Sequence, residues 1–259
     1  MQGFVSEVFS SFQGEGGSVR GSCQGKRQIF IRFAGCNMAM DGKPCVWCDS
    51  PQAQEGGCPN AKIETSTGSG VFRDAANPLD VKSLLKIVED LRTPDLHSLS
   101  LTGGEPLLQA GFIEEFCSES VDRIYLETNG TLPSAAKKVA SHIDYACVDL
   151  KDETALPYSG WQNVLESEIE TIEILMDSGA AVFAKIVVTQ GTSVETIAGD
   201  AEKLAEIGVP LAIQPVTTTD DAEKISRKKL FTFSEAAAQY LNADDITLSF
   251  QTHKQIGIL

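Results

Sequence analysis

Gln28-Ile29-Phe30-Ile31-Arg32-Phe33-Ala34-Gly35-Cys36-Asn37-Met38-Ala39-Met40-Asp41-Gly42-Lys43-Pro44-Cys45-Val46-Trp47-Cys48-Asp49-Ser50 opens as a strand and continues as a loop of thiols. Residues 28–34 are a short apolar run closed by a glycine, the pattern of a buried β-strand. Arg32 interrupts it, and a charge inside such a run must meet a partner or a cavity. Gly35, Gly42 and Pro44 let the loop fold around a cofactor. Cys45 and Cys48 are spaced so that two thiolates point at one metal site, with Cys36 upstream of them.

The same rhythm repeats along the chain. Short β-branched or apolar runs at 98–101, 123–127, 145–149, 182–188, 210–215 and 245–250 read as further strands. Helical spacing of apolar residues falls at 78–92, 166–178, 193–207 and, more briefly, 234–241. Strands alternating with helices predict an α/β fold built from βαβ units on a mostly parallel sheet. Right-handed crossovers make that sheet curl toward a barrel or twist open. One domain spanning 1–259 is expected, since α/β barrels run to this length. Residues 49–77 are rich in Gly, Ser, Thr, Pro and Gln and read as an irregular surface excursion.

Composition excludes several classes of function. Lys plus Arg number 21 against 36 Asp plus Glu, a net charge of −15. So acidic a surface repels a phosphate backbone, so no direct nucleic-acid partner is expected. No apolar run approaches the roughly 20 residues of a membrane span, and the first residues lack the basic-then-apolar pattern of a secretory signal. A cytoplasmic protein without a membrane partner is expected. Seven cysteines, an odd number, favour metal or catalytic use over a disulfide framework.

On the cysteines alone two metal sites stand open. Cys36, Cys45 and Cys48 could hold a four-iron cluster and leave one iron free of protein ligands. They could equally form a structural zinc site with Cys58 or Cys23 as fourth ligand. A redox pair is disfavoured because Cys45 and Cys48 do not open a helix in a thioredoxin-like pattern. Cys117 and Cys147 lie in apolar contexts and read as small core residues.

Polar groups gather at strand ends, where α/β sheets bind ligands. Leu99-Ser100-Leu101-Thr102-Gly103-Gly104-Glu105-Pro106 ends a strand in two glycines and an acid, which suits close backbone approach and an ammonium partner. Leu126-Glu127-Thr128-Asn129-Gly130-Thr131 holds a turn dipeptide. Val148-Asp149-Leu150-Lys151 sets Asp149 and Lys151 on the same side of an extended strand, as an exposed ion pair or as cavity groups. Lys185 interrupts the run 182–188, and Gln214 precedes Pro215 at another strand end; both are weaker candidates.

The cysteine loop, Gly103-Gly104-Glu105 and the opening Phe12-Gln13-Gly14-Glu15-Gly16 together resemble the radical SAM superfamily, and within it the 7-carboxy-7-deazaguanine synthase family. Matching segments run from Glu7 to Lys254 and end in Phe250-Gln251-Thr252-His253-Lys254, similar to a closing Gln-x-His motif. Trp47 takes the aromatic place before the last cysteine. The first cysteine spacing departs from the usual C-x3-C: Met40 stands where the second cysteine usually falls, and Cys45 follows five residues later.

The resemblance implies a partial parallel (βα) barrel of radical SAM type. It implies a [4Fe–4S] cluster on Cys36, Cys45 and Cys48, and S-adenosyl-L-methionine held near Trp47, Gly103, Gly104, Glu105, Asp149 and Lys151. It implies a small pterin substrate met by Phe12, Glu15, Arg32 and His253, and Mg2+ at Ser50, which replaces the family's threonine after Asp49. The implied reaction is a carbon–nitrogen lyase ring contraction of 6-carboxy-5,6,7,8-tetrahydropterin in 7-deazapurine (queuosine or archaeosine type) biosynthesis. The implied partners are an electron donor such as flavodoxin or ferredoxin and a second copy of the chain in a homodimer. A radical SAM activase acting on a protein and a zinc-stabilised binding module are the competing classes.

Overall fold

A computed structural model describes residues 1–157, 162–218 and 224–258. Its strands are β1 (Gln2–Gly3), β2 (Val5–Phe12), β3 (Arg27–Phe33), β4 (Asn60–Glu64), β5 (Phe72–Ala76), β6 (Leu79–Asp80), β7 (Leu96–Gly103), β8 (Ile124–Thr128), β9 (Tyr145–Leu150), β10 (Ala181–Val188), β11 (Leu211–Pro215) and β12 (Ile246–Leu248). The helices are α1 (Asn37–Met40), α2 (Val81–Leu91), α3 (Ala110–Glu119), α4 (Pro133–Val139), α5 (Gln162–Asp177), α6 (Val194–Ile207), α7 (Arg227–Ala237) and α8 (Thr252–Ile256).

One sheet carries ten of these strands in the order β12-β11-β10-β9-β8-β7-β3-β2-β4-β5. From β12 through β3 every neighbour is parallel. β2 then runs antiparallel to β3, and the β4–β5 hairpin continues the edge. Central strands read as near-continuous apolar runs because both faces are covered. Ile29, Ile31, Leu99, Leu101, Leu126, Val148 and Ile186 are all buried in one core.

Helices dock by single apolar faces. α2 buries Val81, Leu84, Ile87, Val88 and Leu91, and Asp80 caps it by accepting from the Ser83 amide at 2.7 Å. α6 starts on Ser193, whose hydroxyl accepts from the Thr196 amide, and stops at Gly208 with φ of 70°.

The sheet is curled into a partial barrel. β12 and β2 are seven strand steps apart, which in a flat sheet would separate them by about 34 Å. Yet Gly14, just beyond β2, accepts from the Thr252 amide just beyond β12 at 3.0 Å, and the Gly16 amide donates to Ser249 Oγ at 2.8 Å. The roughly six residues of chain between these contacts and the two strand ends could span at most about 21 Å. Only a curled sheet satisfies both distances.

Three details differ from the sequence reading. Residues 49–77 are not irregular throughout: β4 and β5 form a hairpin that extends the sheet. β5 has mostly exposed side chains, so no apolar alternation marks it. α7 begins at Arg227, seven residues before the apolar spacing at 234–241, because its first turn is polar and rests on a Ser226 cap; its buried face starts at Phe233. α4 carries little periodic signal, burying only Ala136 and Val139, whereas α3 does show a stripe of Phe112, Ile113, Phe116 and Cys117 that the sequence reading passed over.

Candidate active site

A cavity of about 420 Å³ opens at the carboxyl ends of the parallel strands, and all three loop cysteines line it. Cys36 follows β3 directly and stands at the start of α1. That short helix is fastened to the turn after β8: Asn37 Nδ2 donates to Thr131 Oγ1 at 2.8 Å, and Asn129 Nδ2 donates to Asn37 Oδ1 at 3.1 Å. The far side of the loop is held by the segment after β9. Val46 N donates to Ala155 O at 3.0 Å and Trp47 Nε1 to Thr154 Oγ1 at 3.3 Å. Cys36 and Met38 pack with Ala155 and Leu156 beneath it.

Burial pushes the Cys36 and Cys45 thiols up, and the Lys151 ammonium counteracts it at Cys45. The four-thiolate zinc arrangement finds no fourth partner here. Cys58 Sγ is engaged by Asn77 Nδ2 at 3.1 Å and Val5 O at 3.5 Å, outside the cavity lining. Cys23 packs with Tyr125, Cys147 and Phe183 in a separate apolar cluster. Three soft donors lining one open cavity fit a four-iron cluster with one exchangeable iron.

The Gly103-Gly104-Glu105 turn is stitched onto the same loop. Gly104 N donates to Phe33 O at 3.1 Å and Glu105 N to Gly35 O at 2.8 Å. Gly103 adopts φ of +146°, and a side chain at Gly104 would collide with the carbonyl oxygens of Gly35 and Ala53. The Glu105 carboxylate is fully buried and already accepts from Leu107 N at 2.9 Å, Thr128 Oγ1 at 2.8 Å and Asn129 N at 2.8 Å. Burial nonetheless raises its pKa to about 7. Its carboxylate therefore ties β7 to β8, and the three donors leave one of its roughly four lone-pair sites, on Oε2, for an ammonium group in the cavity. Gly104→Ala is expected to weaken S-adenosylmethionine binding by at least about tenfold, since the clashing atoms are backbone, cannot rotate away and lead directly into Cys36. Isothermal titration of the cofactor measures this; unchanged affinity would contradict it.

Asp149 and Lys151 are paired inside the cavity, with side-chain exposures of 23% and 10%, so the pair is no surface ornament. Burial opposes the Lys151 charge, but Asp149 and Cys45 outweigh it and hold its pKa above the usual lysine range. Asp149 Oδ1 is buried without a hydrogen-bond partner. An orphaned acceptor beside the thiols fits a hydroxyl or ammonium donor on a cofactor.

The opposite wall gathers residues far apart in sequence. Arg32 Nε donates to Glu7 Oε2 at 3.0 Å and Arg32 Nη1 to Ser50 Oγ at 2.6 Å, with the guanidinium over the Phe9 ring. Ser50 in turn donates to Asp49 Oδ1 at 3.2 Å. Gln251 Nε2 donates to Glu15 Oε1 at 2.6 Å, and Lys185 pairs with Glu15 Oε2. His253 packs on Gly14, where any side chain would overlap its ring, and burial lowers its pKa. Phe12 lies at the rim, 41% exposed, with Arg27 over its ring at 5.4 Å.

Sequence reasoning underrated three groups here. Lys185 and Gln251 are the partners of Glu15. Glu127 accepts from Gln13 Nε2 at 2.7 Å and Thr102 Oγ1 at 3.0 Å at the cavity floor. The available signals were a lysine inside an apolar run, an acid at a strand end and a glutamine two residues before a histidine.

This barrel, with a three-thiol loop and a diglycine turn at its mouth, has the architecture of a radical SAM enzyme. The profile of the Radical SAM superfamily matches residues 30–204, and the chain belongs to that superfamily and, within it, to the 7-carboxy-7-deazaguanine synthase family. It is 39% identical to the 7-carboxy-7-deazaguanine synthase of Thermococcus kodakarensis over 100% of both chains. It is 35% identical to that of Methanothermobacter thermautotrophicus, over 100% of this chain and 98% of the relative. Among solved structures, a radical SAM methyltransferase from Sphaerobacter thermophilus superposes with a TM-score of 0.53 at 13% identity, covering 87% of this chain and 66% of that one. Native anSMEcpe with bound AdoMet and Kp18Cys peptide gives 0.53 at 14% identity, covering 85% and 63%. These two likenesses concern the fold alone.

Proposed function

We propose that this chain, acting as one domain, converts 6-carboxy-5,6,7,8-tetrahydropterin to 7-carboxy-7-deazaguanine with loss of ammonia, in 7-deazapurine biosynthesis. The observation that carries the reading is the juxtaposition in one cavity of the three thiols with Glu15, Arg32 and His253. A protein-directed activase has no use for such a second wall. When bound, the reduced cluster and S-adenosylmethionine supply a 5′-deoxyadenosyl radical, while the protein supplies orientation and charge.

Cys36, Cys45 and Cys48 hold the cluster. The Gly103–Gly104 turn gives the methionyl end of the cofactor close backbone approach, and Asp149 and Lys151 meet its ribose and carboxylate. Arg32 grips the substrate carboxylate in the bidentate manner guanidinium geometry favours. Glu15 accepts from ring N–H groups and His253 adds a polar contact at the rim. A low-potential flavodoxin or ferredoxin delivers the electron, and the enzyme works in the cytoplasm as a homodimer. Among the described residues no helix is long and apolar enough to cross a membrane.

The test is anaerobic incubation of the cluster-loaded protein with the carboxytetrahydropterin, S-adenosylmethionine and a reductant, followed by mass analysis. The expected product has lost ammonia relative to the substrate; cofactor cleavage without that product would overturn the assignment.

Magnesium fits the hard oxygens of Asp49 and Ser50. Because Ser50 Oγ also accepts from Arg32, a cation there would share its oxygen with the guanidinium. Chelation and Ser50→Ala are each expected to lower turnover by roughly ten- to a hundredfold, the range typical for lost metal support. Identical rates with and without the metal would remove magnesium from the mechanism.

A further inference from the structure

Lys185 sits near the carboxyl end of β10 with 11% of its side chain exposed, and its ammonium pairs with Glu15 Oε2. In the parallel ladder it stands opposite Asp149 on β9. Glu127 stands on β8, opposite Cys147. Burial disfavours the ammonium, but Glu15, Asp149, Cys147 and Glu127 together hold its pKa above the usual lysine range. One cation therefore answers several acids.

Glu15 benefits most. Its other oxygen accepts from Gln251, whose own amide oxygen accepts from Lys254 Nζ at 2.6 Å. A carboxylate offers about four lone-pair sites. Lys185 and Gln251 take two of them, and Glu15 lines the cavity, so two remain for a ligand. Burial alone would keep Glu15 protonated; Lys185, and then Gln251, reverse this and hold its pKa below the ordinary carboxylate value. Glu127 has no such direct ion pair, and burial with the Glu15 charge pushes it up.

We propose that Lys185 is a positioning residue for substrate recognition: it keeps Glu15 ionised and fixed, so that the free lone pairs of Glu15 accept from the N–H edge of the pterin. The proposal rests on reading Glu15 as a pterin contact. The charged or titratable groups facing Glu15 are Lys185 on β10, Asp149 and Cys147 on β9, Glu127 on β8, Tyr125 behind it and His253 on α8. Among the described residues Lys185 is the cation paired directly with Glu15. Without it, burial and the negative neighbours raise the Glu15 pKa, and the acid protonates as pH falls. Protonation turns an acceptor into a donor, which faces the ring N–H groups wrongly.

The probe is oxidised 6-carboxypterin, a non-reactive fluorescent analogue, titrated into the cluster-loaded protein without reductant between about pH 6 and pH 8. Lys185→Met is expected to weaken binding about 30-fold near pH 6 and markedly less near pH 8, as expected for a lost acceptor to a buried donor. Lys185→Arg should restore affinity and the wild-type pH profile. In a Glu15→Gln background, Lys185→Met should cost less than about threefold, because a residue acting through Glu15 has nothing left to position.

Equal weakening by Lys185→Met at both pH values, or a large further loss in the double variant, would overturn the proposal. Loss of binding in Glu15→Gln with full binding in Lys185→Met would overturn it and leave the Glu15 contact standing. Undiminished binding in Glu15→Gln would overturn both. If Lys185→Met fails to fold, the arginine and double variants decide, since removing both partners of a buried pair is far better tolerated than removing one. An arginine variant with the altered pH profile then counts against the proposal.

Discussion

Alanine at Cys36, Cys45 or Cys48 is expected to abolish the iron–sulfur cluster and all turnover, whereas alanine at Cys23, Cys58, Cys117 or Cys147 leaves iron content intact. The three loop thiols line one cavity, and a four-iron cluster with an open coordination position needs all three. Losing one thiolate leaves two iron atoms without protein ligands. The other four cysteines are accounted for elsewhere. Cys23 and Cys147 pack together with Tyr125, Cys117 is buried in the main core, and Cys58 is bonded to Asn77. The measurement is iron and sulfide content after anaerobic reconstitution of each variant. Cluster loss in Cys58→Ala with retention in Cys36→Ala would reverse the assignment.

The parallel sheet was legible because each central strand is an apolar run closed by polar or glycine residues. Strand 28–34 is the clearest case, and Arg32 inside it signals a partner or a cavity. Residues 60–76 were not legible. β4 is five residues long with Lys62 exposed between Ala61 and Ile63, and β5, at the sheet edge with Arg73 and Asp74 exposed, needs no continuous apolar face. The site divides in the same way. Residues in short motifs, such as Cys45-Val46-Trp47-Cys48 and Gly103-Gly104-Glu105, could be found along the chain. Glu15, Lys185 and Gln251 meet only because the sheet curls, so their pairing is a property of topology and not of spacing. Glu105 shows the limit of motif reading: its place in the turn was evident, but its three internal donors depend on how β8 ends beside it.

Arg32→Ala is expected to lower kcat/KM for the carboxypterin by about 30- to 1,000-fold, equivalent to roughly 2–4 kcal/mol for one buried charge-assisted contact. Arg32 has 18% side-chain exposure and is steered by three groups. Glu7 takes Nε, Ser50 takes Nη1, and the Phe9 ring lies beneath the guanidinium. This leaves Nη2 and the second N–H of Nη1 as a fork directed by its neighbours rather than free to wander, the condition for bidentate recognition of a carboxylate. Removal also leaves Glu7 without its ion pair, so a stability control is required. Arg32→Lys keeps the charge and loses the fork; it should rescue thermal stability more fully than it rescues kcat/KM. Iron content and cofactor binding should be unchanged in both variants, because the Arg32 side chain engages Glu7, Ser50 and Phe9 rather than the thiols or the diglycine turn. Slow, uncoupled cleavage of S-adenosylmethionine should persist in Arg32→Ala without ring-contracted product. Full pterin turnover by Arg32→Ala would place the carboxylate elsewhere in the cavity, and the second wall would then have to be read around Lys151 instead.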